Sequence, residues 1–249
     1  MCVGAARPLL GGEGDLLKWL RPVEGLDTIL GGVLAMLLVT VGIALLFGVY
    51  RGCRWCRLLS WTGWLLLPAV VLYFFVNASC RMGLHASDPL KQGALLNHAV
   101  RYLAPAVLMV WMWLGRGSHC RLGLRCAWCL RIAASATFFG HGLNALAGSP
   151  SHVELIQLTF GEGVSVSAAE TALDVVGGFD IVAAVLLLVR SWRGVALWMG
   201  LWGAVTVSSR LIAYGLADGW DDAAIRACNA GVPLVLWMIW PSSSGKSKS

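Results

Sequence analysis

The sequence predicts an all-α membrane protein that crosses the bilayer about seven times. Three observations lead there. Apolar residues make up 58% of the 249-residue chain and charged residues only 13%, where soluble domains carry roughly 25% charged residues. Apolar runs of about 20 residues, the length a helix needs to cross hydrocarbon, recur along the chain. Basic residues also gather in one set of the connections between those runs. A soluble core of this composition would present large apolar patches to water. The runs are continuous rather than alternating, which favours helices over strands. Thirteen tryptophans and thirty glycines fit the same class, since Trp collects at membrane interfaces and Gly is frequent in membrane helices.

Residues 1–28 place Glu13 and Asp15 ahead of the first apolar run and lack the basic start and short apolar core of a cleaved signal. Within them GDLLKWLRPVEGLD is expected to lie along the outer interface as a helix, with Leu16, Trp19 and Leu20 on one side. A frayed tail is the competing expectation. Residues 29–115 form a three-span unit, with spans ending near Tyr50, at about 58–78 and at about 97–115. Residues 126–240 form a four-span unit with spans at about 126–147, 170–190, 194–214 and 224–240. Asp174 and Asp180 interrupt the first of these last three. Residues 241–249 make a short basic tail.

Charge sets the expected orientation. Arg51, Arg54, Arg57, Arg116, Arg121, Arg125, Arg131, Arg190, Arg193, Lys246 and Lys248 fall on one side. The acidic residues, among them Asp88, Glu154, Glu162, Asp218, Asp221 and Asp222, fall on the other. Basic loops face the cytoplasm, so the N-terminus is expected outside and the tail inside. Six or eight spans would scatter the basic loops over both faces. The net charge of +6 therefore reads as an orientation signal in a plasma or inner membrane, with lipid as partner and no nucleic-acid role.

Two stretches resemble each other. HAVRYLAPAVLMVW (98–111) parallels RACNAGVPLVLWMI (226–239), with Pro105 opposite Pro233. GLDTILGGVLAMLL (25–38) parallels ALDVVGGFDIVAAVLL (172–187). Spans one to three then read as a diverged copy of spans five to seven, lying parallel to it as in some transporters. Chance likeness between apolar helices is the competing explanation.

The motifs LRIAASATFFGHGLNALAG (130–148), GGFDIVAAVLLLV (177–189), LWMGLWGAVTVSSRL (197–211) and RACNAGVPLVLWM (226–238) resemble the DoxX-like family of small membrane proteins. The resemblance covers about 130–240. It implies a C-terminal four-helix bundle, a quinone as candidate cofactor, and a role beside a quinone- or thiol-linked redox system with a redox partner protein. The three preceding spans depart from the family's minimal pattern.

Ionisable residues within spans are costly and often functional. His141 and Asn144 share a helix face. Asp174 and Asp180 lie in the next span, Arg210 toward the outer end of the one after, and Arg226 and Asn229 near the start of the last. Together they suggest an outward-facing polar pocket in which Asp174 or Asp180 balances Arg210 and His141 exchanges a proton. Helix-tying hydrogen bonds, worth ~0.6 kcal/mol each, are the plainer explanation.

Cys53 and Cys56, and Cys126 and Cys129, have CxxC spacing beside arginines on the cytoplasmic side. Neighbouring positive charge favours thiolates, and four thiolates are able to hold zinc. Reduced or lipidated thiols are the more ordinary outcome, and no metal is assigned. Gly140, Gly142, Gly177, Gly178, Gly200 and Gly203 are expected to let helices approach closely, which leaves a homo-oligomer open. There is no phosphate-binding Gly-rich loop or HExxH motif. Three classes of function remain: a redox membrane subunit, a structural or assembly protein, and a small-solute transporter.

Overall fold

A computed structural model of the chain describes residues 67–79, 82, 93–114, 119–161 and 163–240. The N-terminal segment, the first span with the stretch 25–38, Cys53 and Cys56, and the tail lie outside the described residues. The described residues are helical throughout, without strands. In chain order the helices are α1 (Leu67–Ser79), α2 (Ala94–Asn97), α3 (Ala99–Leu114), α4 (His119–Leu146), α5 (Pro150–Phe160) and α6 (Val166–Val189). They are followed by α7 (Arg193–Trp220) and α8 (Asp222–Ile239).

Helices α6, α7 and α8 are long and apolar enough to cross a membrane. They coincide with the last three expected spans. The 28-residue α4 is long enough, but Arg131, His141 and Asn144 lower its mean hydropathy. Helices α1 and α3 are shorter apolar elements. The surface confirms an inverted polarity. Only 33% of the most apolar stretch of α6 is buried, and Val175, Phe179, Val182, Val185 and Val189 point outward. On α7, Leu201, Val205, Ile212 and Leu216 do the same. Water would not tolerate such a belt; lipid does.

With apolar residues on both sides, packing depends on close approach rather than on hydrophobic sorting. Helices α4 and α6 cross antiparallel where Gly142 faces Gly177. A Cβ on either glycine would press on the other's carbonyl oxygen, and one on Gly142 would also meet Ile181. Ala133, Ala134, Phe138, Ala183, Ala184 and Leu187 extend that contact into the main core, which Met199, Val232 and Leu236 complete from α7 and α8.

The last two helices form a hairpin. Gly215, inside α7 as bounded above, takes a left-handed φ of 75°, open to glycine, and the chain reverses there, so that the residues of α7 beyond it already run back. Gly219 then packs on the Arg210 carbonyl, Gly203 on Ala230, and Gly200 on Leu234. Pro233 lacks the N–H that would bond the Asn229 carbonyl, and this carbonyl lies against Gly203. Gly178, by contrast, faces open space and has no packing role here.

Helix α5 was not anticipated from the sequence. Pro150 opens it, at the position where a missing N–H is harmless, and Gly161 with φ 96° ends it. Val153 and Leu155 are its buried residues, and Val153 packs with Ala145, Ala169 and Leu173 at the ends of α4 and α6. Eleven residues span only ~17 Å as a helix. That length suits a plug across one end of the bundle.

The glycine crossing makes a contrast between neighbours. Gly177→Ala should lower stability by ~1–3 kcal/mol through overpacking. Gly178→Ala should be neutral or slightly stabilising, because alanine favours helix. Thermal unfolding of the two detergent-solubilised variants would show the difference.

Candidate functional site

The two ends of the bundle differ in chemistry. At the end carrying the α6–α7 connection, arginines meet tryptophans and helix carbonyls. Buried Arg131 donates to the Leu187 carbonyl and, at 2.8 Å, to Ser191 Oγ, with Trp128 stacked 4.3 Å from its guanidinium. Arg193 donates to the Trp237 carbonyl at 3.0 Å and lies over that residue's ring. These cations satisfy carbonyls in the last turns of α6 and α8, where the helix dipole is negative. Cys126 and Cys129 sit on α4 near this end as free thiols, half-buried and exposed respectively. Among the described residues no group of three or more His, Cys, Asp or Glu is placed to hold a metal.

The opposite end holds the candidate site. Asp222, at the start of α8, is buried and bridges two cations. One carboxylate oxygen lies 3.5 Å from Arg210 Nε, and the other accepts from Arg226 one helical turn along. Arg210 comes from α7, so the bridge closes the α7–α8 hairpin at its turn. The guanidiniums of Arg101, Arg210 and Arg226 act on His141, which α4 presents one residue before the glycine crossing.

His152 of α5 completes the group. Its ring lies edge-on to His141, with centroids 6.5 Å apart. Burial first, then the charges of Arg210 and Arg226, push the His152 imidazole down to about 4. It is therefore neutral near pH 7, with one nitrogen a donor and the other an acceptor. His152 Nδ1 and His141 Nε2 are both closed off from solvent and have no hydrogen-bond partner. Buried polar atoms are normally satisfied. Arg210 Nε, in the same group, likewise lacks a hydrogen-bond partner.

Of the residues expected to form a pocket, the structure brings His141, Arg210 and Arg226 together and distributes the others. Arg210 pairs with Asp222 instead of Asp174 or Asp180. Asp174 is exposed on the outer surface of α6, because its helix turns Leu173 and Gly177 inward. Asp180 is buried deeper in the bundle, beside Trp202 of α7. Asn144 is half-buried, and its carbonyl accepts from the Ser149 amide at 3.2 Å as α4 ends. Asn229 is buried between α7 and α8. Gly140 packs on Asn97 of α2, which carries that short helix to the same end.

Sequence reasoning missed His152 and the role of Asp222. The Ser149–Pro150 pair and the Val153–Leu155 positions signal a helix start. Nothing local tells that His152 turns toward His141. Comparison with protein-family models, curated proteins and solved structures finds no match for the chain.

Asp222→Asn should cost ~1–3 kcal/mol, because it leaves two part-buried cations without their shared carboxylate. Replacing Asp222, Arg210 and Arg226 together by Leu, Met and Met should recover most of that loss, and thermal unfolding would show it.

Proposed function

We propose that this chain is an integral membrane protein of about seven spans, carrying a binding site for a small polar ligand beneath α5. One observation supports the site above all others: two buried imidazole nitrogens without partners, on facing helices, beside the Arg210–Asp222–Arg226 bridge. The distribution of charged residues supports an arrangement with this end outside and the Arg–Trp end in the cytoplasm. Arg131 and Arg193, set among tryptophans at the latter end, agree with a cytoplasmic interface.

The DoxX-like resemblance of 130–240 supports placing the site within a quinone- or thiol-linked membrane system. A quinone carbonyl is a suitable acceptor for an imidazole N–H. The exposed Cys129 and its neighbour Cys126 lie toward the far end of α4, so a thiol function would be separate from this site.

Native mass spectrometry of the full chain, released from nanodiscs formed directly from its membrane, tests the reading. A co-purified small molecule is expected, retained by wild type and lost from His141→Ala. An empty wild-type protein whose stability is unchanged by His141→Ala and His152→Ala would overturn the site and leave a structural or assembly role.

A further inference from the structure

The Arg–Trp end gathers positive charge with no acidic side chain beside it among the described residues. Along the sequence no Asp or Glu lies between Asp88 and Glu154, between Asp180 and Asp218, or after Asp222. Arg125, Arg131, Arg190 and Arg193 all fall within those gaps. The described acids lie at or toward the opposite end, apart from Asp180 in the middle of α6. We propose that the Arg–Trp end binds an anionic phospholipid, whose phosphate accepts from Arg190 beside the exposed indole of Trp192. The inference rests on the membrane reading above and is independent of the ligand site beneath α5.

The turn between α6 and α7 decides which arginine meets the lipid. Helix α6 ends on an outward apolar face of Val185, Leu188 and Val189, and Arg190 is the next residue. It therefore stands where hydrocarbon gives way to headgroups. The Trp192 amide donates to the Arg190 carbonyl at 2.8 Å, closing a three-residue turn. The Arg190 guanidinium then lies 4.8 Å from the centre of the Trp192 ring, and both residues are exposed. Arg131 reaches the same turn through Ser191 Oγ, and Arg193 follows it directly. Both are committed to helix carbonyls, so they add to the field at Arg190 and keep their present partners.

Three properties of this pair match an anionic lipid. Stacking occupies the face of the Arg190 guanidinium and leaves its edge, where a planar fork of N–H donors fits two phosphate oxygens at once. The indole of Trp192 suits the layer between acyl chains and water, with an apolar ring and a polar N–H. Net charge then selects among lipids. The choline of a zwitterionic headgroup would add a cation to an end already rich in them, whereas phosphatidylglycerol brings a net negative charge. The adjoining apolar face of α6 also offers contact to an acyl chain, which a lipid has and a free phosphate ion lacks.

The test uses the full chain in nanodiscs of phosphatidylcholine with a minority of phosphatidylglycerol, and native mass spectrometry reads the lipids that stay bound. Wild type should retain phosphatidylglycerol well beyond its share of the bilayer. Arg190→Gln should lower that enrichment about fivefold, equivalent to the ~1 kcal/mol that one basic residue adds to attraction for anionic lipid. Arg190→Lys, which keeps the charge without the fork, should fall between the two. Because Arg190 is exposed, the unfolding midpoint of Arg190→Gln in phosphatidylcholine alone should match wild type.

Three results would overturn the proposal while leaving the protein in its bilayer. In the first, wild type holds the two lipids in proportion to the nanodisc. In the second, Arg190→Gln keeps the wild-type enrichment. In the third, inorganic phosphate raises the wild-type midpoint in pure phosphatidylcholine through Arg190 and phosphatidylglycerol is not enriched, which makes the ligand a free ion. Extraction of wild type from phosphatidylcholine vesicles by alkaline carbonate is distinct from these, since it removes the membrane reading and the lipid proposal with it.

Discussion

Everything else in this bundle hangs on the contact between Gly142 and Gly177. Lipid is as apolar as the helices' own side chains, so the usual gain from hiding hydrophobic surface is absent. Helices hold together through short-range contact, and short range requires small residues. With no Cβ on either glycine, each backbone reaches the other's carbonyl. This crossing sets the depth of His141 in the site and aligns the alanines of α4 with those of α6 down the main core. The α7–α8 hairpin follows the same rule, with Gly200, Gly203 and Gly219 where α8 or its own turn comes closest.

Charge is then divided between two ends according to what each must do. The arginines at the Arg–Trp end bond carbonyls that helix termini leave unsatisfied and rest on indole faces. Long side chains of this kind keep an apolar stem in the interface and a charged head near water. The arginines at the α5 end are drawn inward, around Asp222. Burying a charge is costly unless it is paired, and Asp222 pairs with both arginines. The first group explains how the bundle sits in an interface.

Asp180 belongs to neither end. It is buried in the middle of α6 with one carboxylate oxygen unpartnered, and the Trp202 indole lies beside it. Trp202 stacks on Trp198, which in turn touches Phe179. The separation of Asp180 from Arg210 removes the counter-charge that the spacing of acids and bases along the sequence invites one to assign.

Residue by residue, the sequence by itself was enough for class and for the long apolar helices. Long uncharged runs dictate membrane-length helices, and α6, α7 and α8 lie where those runs predict. Composition requires an apolar exterior, and the glycines at 142, 177, 200 and 203 advertise close helix contacts. These properties are local or averaged, and so are legible along a line. The full count of spans and the likeness of 25–38 to 172–187 rest on residues beyond those described. Tertiary structure decided which polar residues meet. Asp174 and Asp180 are six positions apart on one helix, yet one faces outward and the other inward, because α6 turns its small residues toward α4. Asp222 reaches Arg210 only because the chain reverses at Gly215. His152 joins His141 only because α5 folds back over the bundle's end. Such pairings depend on the rotation and depth of whole helices, set jointly by many contacts, and no spacing within a single helix encodes them.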